Sequence, residues 1–203
     1  MQKNDFWSMT LSELLTKTKS ANSVPGGGAI AAMVANFGLA LIIMALKVTM
    51  QKSGSESSDL ANYLSKLEKL SEKLKLLPEK DMHSFDAFMQ IYRINKSATD
   101  SKNLIEAATA LVNDTILIAT EICAVVDLLD EFYQKIHNSI IADVASGLYL
   151  LEAALKSTML NYAENCKIAE KKCGIIFETK EALVKPTSAK FGEIHTYIQN
   201  ILN

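Results

Sequence analysis

The sequence predicts an all-α protein, a multi-helix bundle organised around one long, central apolar helix. Only three prolines and eight glycines occur among its 203 residues, whereas Ala, Leu, Glu and Lys, which favour helices, are abundant. Between Ala29 and Leu46 the only strongly polar side chain is Asn36. Later segments repeat apolar residues at three- and four-residue steps. The length suits a single domain spanning residues 1–203.

The charge of the chain argues against some partners and locations. The formal net charge is −2, and the lysines are interspersed with acidic residues rather than gathered in a basic tract. This pattern disfavours a nucleic-acid binder. The first twenty residues carry charges throughout and contain no unbroken apolar core. We therefore expect no secretory signal and a cytoplasmic location.

Neither the cysteines nor the histidines predict a metal site or a disulfide. The cysteines are odd in number and form no CxxC pair, which suits a reducing compartment; they are Cys123, Cys166 and Cys173. The histidines lack HxxxH or HExxH spacing; they are His83, His137 and His195. We therefore expect no metal ligands in this chain.

The first element is predicted to be an amphipathic helix from Asp5 to Lys19, with apolar side chains available to cover a core. Thr10 and Glu13 also fit a capping box, in which each side chain accepts the backbone N–H of the other residue. That alternative places the start of the helix after Thr10.

The organising stretch is SANSVPGGGAIAAMVANFGLALIIMALKVT, residues 20–49. A helix this long and apolar has the length of a membrane span. We expect a helix of a water-soluble bundle instead, because the run is rich in alanine, the later helices look amphipathic and no second span follows. Small residues at every fourth position let another backbone approach one face closely; they are Gly28, Ala32, Asn36 and Ala40.

The start of this helix is a candidate binding turn. Pro25 fixes the entry to the turn, and Gly26, Gly27 and Gly28 leave their backbone N–H groups uncovered. A helix N-terminus with bare donors favours an anion or a polar ring edge. The alternative is a flexible turn that only starts a helix. The stretch is neither a Walker loop nor a dinucleotide fingerprint, since no Gly-Lys-Ser/Thr follows and no strand precedes it.

The leucines of residues 60–74 predict a solvated helix with one buried stripe. We expect Pro78 to interrupt that helix at Leu77 and a new segment to follow. In the new segment a carboxylate shares one helical face with a strip of aromatic rings, namely Asp81, Phe85, Phe88 and Tyr92. Aromatic strips of this kind are usually core, so packing is the alternative to a binding site.

Three more helices are expected. The first runs from Ser101 to Tyr133, with its acidic residues Glu106, Asp114 and Glu121 facing water. The second runs over 139–166 and carries a small, polar face made of Asp143, Gly147, Ala154, Thr158, Asn161 and Asn165. Such a face is either a close helix crossing or the wall of a site, and the two uses are compatible. A surface helix over 187–202 follows Pro186.

Taken together, these stretches resemble the cyclodeaminase/cyclohydrolase family of folate enzymes. That family contains the C-terminal half of formimidoyltransferase-cyclodeaminase and the stand-alone methenyltetrahydrofolate cyclohydrolases. PGGGAIAAMVANFGLALIIMALKVT is similar to the family's PGGGSVAALAGALGAALxxMVxxLT, DMHSFDAFM to its DxxAFxxVM, and DVASGLYLLEAALKSTMLNYAEN to its DxGVAALLAEAALxGALLNVxIN. One departure is Ala29, which replaces the serine usual after the glycines.

The resemblance implies a protomer that dimerises and binds tetrahydrofolate in a cleft near the subunit interface. It also implies two catalytic candidates, Asp81 and Asp143, for proton transfer and for stabilising a cation. Burial would raise the pKa of such a carboxyl toward neutrality. The alternative for both is a helix-capping or interface carboxylate.

The same resemblance suggests how the substrate is bound. The glycine amides would meet the pteridine edge or a glutamate carboxylate, aromatic rings would stack on the pterin, side-chain amides would bind its heteroatoms and lysines would bind the glutamate tail. The turn consists of Pro25, Gly26, Gly27 and Gly28, and the aromatic rings are those of Phe85 and Phe88. The amides are those of Asn161 and Asn165, and the lysines are Lys47 and Lys96.

The predicted function is a folate one-carbon enzyme, a methenyltetrahydrofolate cyclohydrolase that converts 5,10-methenyltetrahydrofolate and water into 10-formyltetrahydrofolate. One alternative is a formimidoyltetrahydrofolate cyclodeaminase, which forms the methenyl compound and ammonia from 5-formiminotetrahydrofolate. Another is a non-catalytic helical dimerisation scaffold. We expect a folate substrate, a homodimer, no nucleic acid, no membrane, and no cofactor or metal, because neither reaction requires one.

Overall fold

The computed structural model describes residues 6–53, 58–94 and 102–202. Within these ranges the chain forms α-helices and short 3-10 turns and contains no β-strand, which confirms the all-α prediction. The helices are α1 (Leu11–Thr18), α2 (Gly27–Ser53), α3 (Ser58–Ile94), α4 (Lys102–Asp130), α5 (Ile141–Cys173) and α6 (Glu181–Leu202). The 3-10 turns are Phe6–Ser8, Tyr133–Lys135 and Asn138–Ile140.

The first helix begins at the later of its two predicted starts. The Thr10 N–H donates to Glu13 Oε2 at 2.7 Å, and the Glu13 N–H donates to Thr10 Oγ1 at 3.2 Å. Both halves of the capping box are present, and α1 therefore starts after Thr10. A single helix over 5–19 was the wrong alternative.

Helix α2 packs along α3 and α5. Its backbone touches that of α5 at Gly38 and Gly147, where a Cβ on either glycine would lie 2.7 Å from the other's carbonyl oxygen. The close crossing expected of the small face of α5 is present at Gly147, but on α2 it lies at Gly38, which is not part of the predicted small face. The predicted small face is only partly buried, since Ala32 is inaccessible whereas Ala40 is exposed.

Three stretches of the described chain are long and apolar enough, by length and composition, to cross a membrane: Gly27–Lys52, Lys102–Asp130 and Asn138–Cys173. The expectation that no second such stretch follows the first is therefore wrong. About half of each apolar window is buried against the rest of the fold. This mutual burial supports the water-soluble bundle, which stays a prediction.

Helix α3 continues through Pro78, contrary to the prediction that the proline interrupts it. Proline lacks the N–H that would bond the Leu74 carbonyl four residues earlier. That carbonyl instead accepts the side-chain amide of Asn36 at 3.0 Å, and the neighbouring Lys75 carbonyl accepts the Trp7 indole N–H at 2.6 Å. The Asn36 amide of α2 therefore replaces the donor that the proline removes, and the Trp7 contact ties the N-terminal segment to the next carbonyl of α3.

The acidic residues of α4 do not all face water as expected. Glu106 does, but Glu121 is buried near Lys73, with Oε2 lacking a hydrogen-bond partner, and Asp114 pairs with Lys80 at 2.9 Å. The helix is packed between α3 and α5, so two of its faces are covered. An acidic residue on such a helix can lie in the interior when a lysine from α3 reaches it.

Helix α6 starts earlier than the predicted 187, at Glu181, and contains Pro186. It packs against α4 and α5. The main core lies among α2 to α6. A second core cluster contains side chains of α3, α4 and α5 and none of α2; its buried members are Phe88, Leu104, Ala108, Leu111, Val112, Tyr162, Ala169 and Cys173. These three helices therefore continue as a layer past the start of α2.

Candidate active site

The glycine turn opens α2 beside the middle of two longer helices, α3 and α5. We call the surface formed there by Gly27, Gly28, Asp81 and Asn161 the ledge. A Cβ on Gly28 would lie 2.6 Å from Asp81 Cγ of α3, and a Cβ on Gly27 would lie 3.0 Å from both side-chain polar atoms of Asn161 on α5. Beyond these contacts α3 and α5 each continue for about 18–20 Å. The turn, one aspartate and one asparagine therefore meet at a single point.

Asp81 is buried, at 8% exposure. Burial raises the pKa of its carboxyl from 3.8 to about 6, the backbone N–H of Ala29 lowers this pKa by donating to the carboxylate, and the charge of Asp114 raises it. The desolvation of the carboxylate outweighs the hydrogen bond. Asp81 is therefore a carboxyl group that populates both protonation states near neutral pH.

The glycines create the space that Asp81 occupies. Gly28 is buried and Gly27 is exposed, so the turn has one face toward the carboxylate and one toward solvent. Pro25 is buried beneath the turn. No residue with a Cβ fits at position 28 unless Asp81 moves. Among the first amides of α2, that of Ile30 donates to the Gly26 carbonyl and that of Ala29 donates to Asp81. The amides of Gly27 and Gly28 precede the first intrahelical bonds and are the donors left at this ledge.

Asn161 completes the ledge from the side of α5. Its Nδ2 donates to the Ser157 carbonyl of its own helix at 2.8 Å, and the side chain is half-buried beside Gly27. Asn165, one turn later, is buried and donates to Thr115 Oγ1 of α4 at 2.8 Å. Asn161 is therefore accessible to a ligand, whereas Asn165 ties α5 to α4.

The two predicted stacking residues have different surroundings. Phe85 is half-buried beside the second core cluster. Phe88 is 1% exposed and stacks on Tyr92, with ring centroids 6.1 Å apart. The structure assigns Phe88 to the core, because its helical face is covered by α4 and α5. Phe85 remains the candidate for stacking on a bound ring.

Asp143 and Lys47 lie at the other end of the molecule. Asp143 is in the first turn of α5, about 27 Å along that helix from Asn161. Lys47 is about 30 Å along α2 from Gly27 and pairs with Glu68 at 2.8 Å. A single copy of the chain therefore does not bring either residue to Asp81. Lys96 lies outside the described residues.

An apolar cavity of about 830 Å³ lies elsewhere, between α5 and α6, and is lined by Leu155, Met159, Cys166, Phe177 and Phe191 among others. None of the predicted site residues lines it. We place the candidate chemistry at the ledge and not in this cavity, because the ledge contains the carboxyl with a pKa near neutrality, the bare helix donors and a side-chain amide. A ligand at the ledge would lie over the exposed side of Gly27.

Sequence reasoning missed the Lys80–Asp114 ion pair beside Asp81. The lysine directly precedes Asp81, but nothing in the spacing of α4 indicates that Asp114 faces α3. Among the residues described, no group of three or more His, Cys, Asp or Glu side chains is placed to hold a metal ion. The arrangement can transfer protons at Asp81 and bind a polar or anionic ligand edge at the turn.

Known proteins resemble this chain in sequence and in fold. A methenyltetrahydrofolate cyclohydrolase of Methylorubrum extorquens is 29% identical over 165 residues, covering 78% of this chain and 79% of that protein. A formiminotetrahydrofolate cyclodeaminase from Thermotoga maritima, known from a crystal structure, has a TM-score of 0.72 at 21% identity, over 95% of this chain and 91% of that one. This second likeness shows a shared fold.

The family profile described as Formiminotransferase-cyclodeaminase matches residues 10–172. This range includes the glycine turn, Asp81 and Asn161, and it spans most of the chain. The resemblance of the three sequence stretches is thus confirmed, and the chain belongs to the formiminotransferase-cyclodeaminase family.

Proposed function

We propose that this protein is a methenyltetrahydrofolate cyclohydrolase, which hydrolyses 5,10-methenyltetrahydrofolate to 10-formyltetrahydrofolate. The observation that carries the proposal is the buried carboxyl of Asp81, with a pKa of about 6, held against the glycine turn. The similarity to the Methylorubrum extorquens cyclohydrolase supports this reaction.

The reaction requires one group that both accepts and donates a proton. Water adds to the cationic methenyl carbon and loses a proton to the Asp81 carboxylate. The bond from that carbon to N5 then breaks, and the carboxyl returns its proton to N5. As the formyl C=O forms, the hydroxyl group left by the added water loses its proton to solvent, so the cationic substrate becomes a neutral product and one proton is released. A carboxyl with a pKa near the working pH suits both steps.

The ledge also suits the rest of the substrate. The half-buried ring of Phe85 lies one turn beyond Asp81 on the same face of α3, and its accessible part is where a pterin ring would stack. The Asn161 amide and the first amides of α2 offer hydrogen bonds to ring heteroatoms or to a carboxylate. No metal or nicotinamide takes part, because water, the methenyl cation and one carboxyl suffice.

We further propose a homodimer formed through the open face of α2. Phe37 and Met44 on this face are 47% and 38% exposed, and helix α2 has apolar residues on all sides. A helix that is apolar all round is normally covered on all sides. In a two-fold dimer whose axis is perpendicular to α2, the two copies of α2 run in opposite directions. This is how Asp143 and Lys47 of the second copy would approach the glycine turn.

The cyclodeaminase reaction is the second candidate, since the fold neighbour from Thermotoga maritima bears that name. It passes through the same bridged cation, and Asp81 would protonate the departing ammonia. A cytoplasmic enzyme of either kind suits three cysteines that are all free thiols.

The test is to mix the purified protein with 5,10-methenyltetrahydrofolate and, separately, with 5-formiminotetrahydrofolate while following the methenyl absorbance. We expect the absorbance to disappear in the first mixture. Its appearance in the second mixture alone would instead indicate the cyclodeaminase. No change in either, with no folate binding by calorimetry, would leave a non-catalytic scaffold.

The matched variants are Asp81→Asn and Asp86→Asn, two aspartates of the same helix. We expect Asp81→Asn to lower kcat at least about a hundredfold, the usual scale for losing an acid/base group. Asp86→Asn is expected to retain the wild-type rate, because Asp86 is half-exposed away from the turn. Equal rates in both variants would refute the role of Asp81.

A further inference from the structure

Helices α2 and α3 are antiparallel, and two polar contacts between them lie about two helical turns apart. At one point the Asn36 amide reaches the Leu74 carbonyl at 3.0 Å. At the other the Asp81 carboxylate lies against Gly28. Gly28 precedes Asn36 by about 12 Å along α2, and Asp81 follows Leu74 by about 10 Å along α3. The two contacts therefore fit a single register of α3 on α2, and a shift at the first changes the second.

Both donors of the Asn36 amide are used. Nδ2 donates to the Ala32 carbonyl of its own helix at 2.9 Å and to the Leu74 carbonyl of α3. The reversed amide would place its oxygen, which can only accept hydrogen bonds, against two carbonyl oxygens. The orientation with Nδ2 toward the carbonyls is therefore the one that forms hydrogen bonds. The Leu74 carbonyl needs an external donor because Pro78, four residues later, has no N–H.

The contact at Gly28 tolerates little displacement. A Cβ on Gly28 would already overlap the Asp81 carboxylate, and the Ala29 N–H donates to that same group. A small shift of α3 along α2 therefore changes both the burial of the carboxylate and its hydrogen bond. The charged groups near Asp81 are Lys80 and Asp114, which pair with each other, while α2 offers its N-terminal amides and α5 offers Asn161.

We propose that Asn36 is a positioning residue for Asp81: it supplies the donor that Pro78 removes from the Leu74 carbonyl and thereby holds the Asp81 carboxylate against the glycine turn. This inference rests on the proposed function only for its kinetic consequence. Asn36 touches no substrate; it acts through α3. A misplacement of about 1 Å at a reacting group can reduce a rate by up to about a hundredfold.

The test compares Asn36→Leu in the wild-type chain and in a Pro78→Ala chain. In the first, the Leu74 carbonyl loses its donor; in the second, the N–H of Ala at position 78 restores one. We expect Asn36→Leu to lower kcat about tenfold or more with KM changed less than about threefold. In the Pro78→Ala background we expect the same substitution to change kcat less than about threefold.

A second readout separates this inference from the proposed function. The pH midpoint of the Asp81 carboxyl, followed by carbon-13 NMR in the free protein, needs no substrate. Because burial is the main cause of the raised midpoint, we expect Asn36→Leu to lower it by at least about half a unit, and only in the chain that contains Pro78. If the protein is inactive on folates, this shift in the pH midpoint of Asp81 still tests whether Asn36 positions Asp81.

Equal effects of Asn36→Leu in both backgrounds would overturn the proposal, as would lower stability with an unchanged midpoint and kcat. Should Asn36→Leu not fold, Asn36→Ser gives the same comparison, because a serine hydroxyl can bond its own helix but is too short to reach Leu74. A matched control is Asn62→Leu, at an exposed position of α3 far from the turn, which is expected to leave both readouts unchanged.

Discussion

The carboxylate of Asp81 lies against the backbone of Gly28, in the space that any side chain at position 28 would fill. One residue comes from the middle of α3 and the other from the first turn of α2. Their contact places a carboxyl group with a raised pKa at the start of α2, where it accepts the Ala29 N–H. Gly28 thus serves two purposes, since it gives the backbone of the turn conformational freedom and leaves room for the carboxylate.

Gly28→Ala is expected to displace Asp81 and abolish most activity. The added Cβ would lie 2.6 Å from Asp81 Cγ, so either the carboxylate or the turn must move. We expect kcat/KM to fall at least about a hundredfold. The control is Gly192→Ala in α6, where a Cβ meets nothing within 4 Å; it is expected to keep activity and to stabilise the fold by about 0.5–1 kcal/mol. Full activity of Gly28→Ala would contradict the contact.

The contribution of Asp81 to the stability of the protein is expected to fall as the pH rises from about 4 to about 6. The pKa of Asp81 is raised from 3.8 to about 6 in the fold, so the folded state binds more protons than the unfolded state between those values, and the free energy of unfolding decreases across that window. Below it the group is neutral in both states and contributes nothing.

Urea unfolding at pH 4.5 and pH 7 can measure this effect by comparing the wild type with Asp81→Asn. The wild type is expected to lose on the order of 2 kcal/mol relative to the variant between the two conditions. Other carboxyl groups cancel in the difference. A difference that is the same at both pH values would mean that Asp81 titrates normally.

Asp114→Asn is expected to lower the midpoint of the acidic limb of the pH–rate profile. The negative charge of Asp114 raises the pKa of Asp81, and its removal also releases Lys80, which now pairs with Asp114 at 2.9 Å. Both changes favour the ionised Asp81. Glu106→Gln on the same helix, an exposed residue paired with Lys102, is the control and should leave the midpoint in place. An upward shift in Asp114→Asn would be inconsistent with this electrostatic relationship.

Thr115→Val is expected to destabilise the fold without affecting the reaction. It removes the acceptor for the buried Asn165 amide, which costs about 1–3 kcal/mol when a buried donor is left unsatisfied. Chemical denaturation measures the loss, and kcat at a temperature where the variant is folded tests the function. A marked increase in KM for the folate would instead support Asn165 as a substrate-binding residue, as the sequence resemblance implies.

The local features of this chain were predictable because they depend on neighbouring residues. The capping box of Thr10 and Glu13, the helix that opens at the glycines and the shared face of Asp81 and Phe85 all follow from short-range spacing. The small face of α5 was also expected, although only the structure shows that Asn161 faces the turn while Asn165 bonds α4.

The features that were mispredicted depend on partners far away in the sequence. Pro78 should interrupt a helix unless another donor reaches the freed Leu74 carbonyl, and that donor is the side-chain amide of Asn36. Asp114 should face water unless a lysine from α3 meets it. No local pattern contains this information.

The sequence by itself determined that the chain is helical, that its most apolar helix opens at a glycine turn, and which family it belongs to. Propensity, periodicity and motif spacing are properties of consecutive residues. Only the tertiary structure decided which polar residues meet at that turn. Antiparallel packing brings Asp81 and Asn161 to the start of α2 and sends Lys47 and Asp143 to the opposite end, because residues far apart on a rigid helix cannot share one site within a single chain.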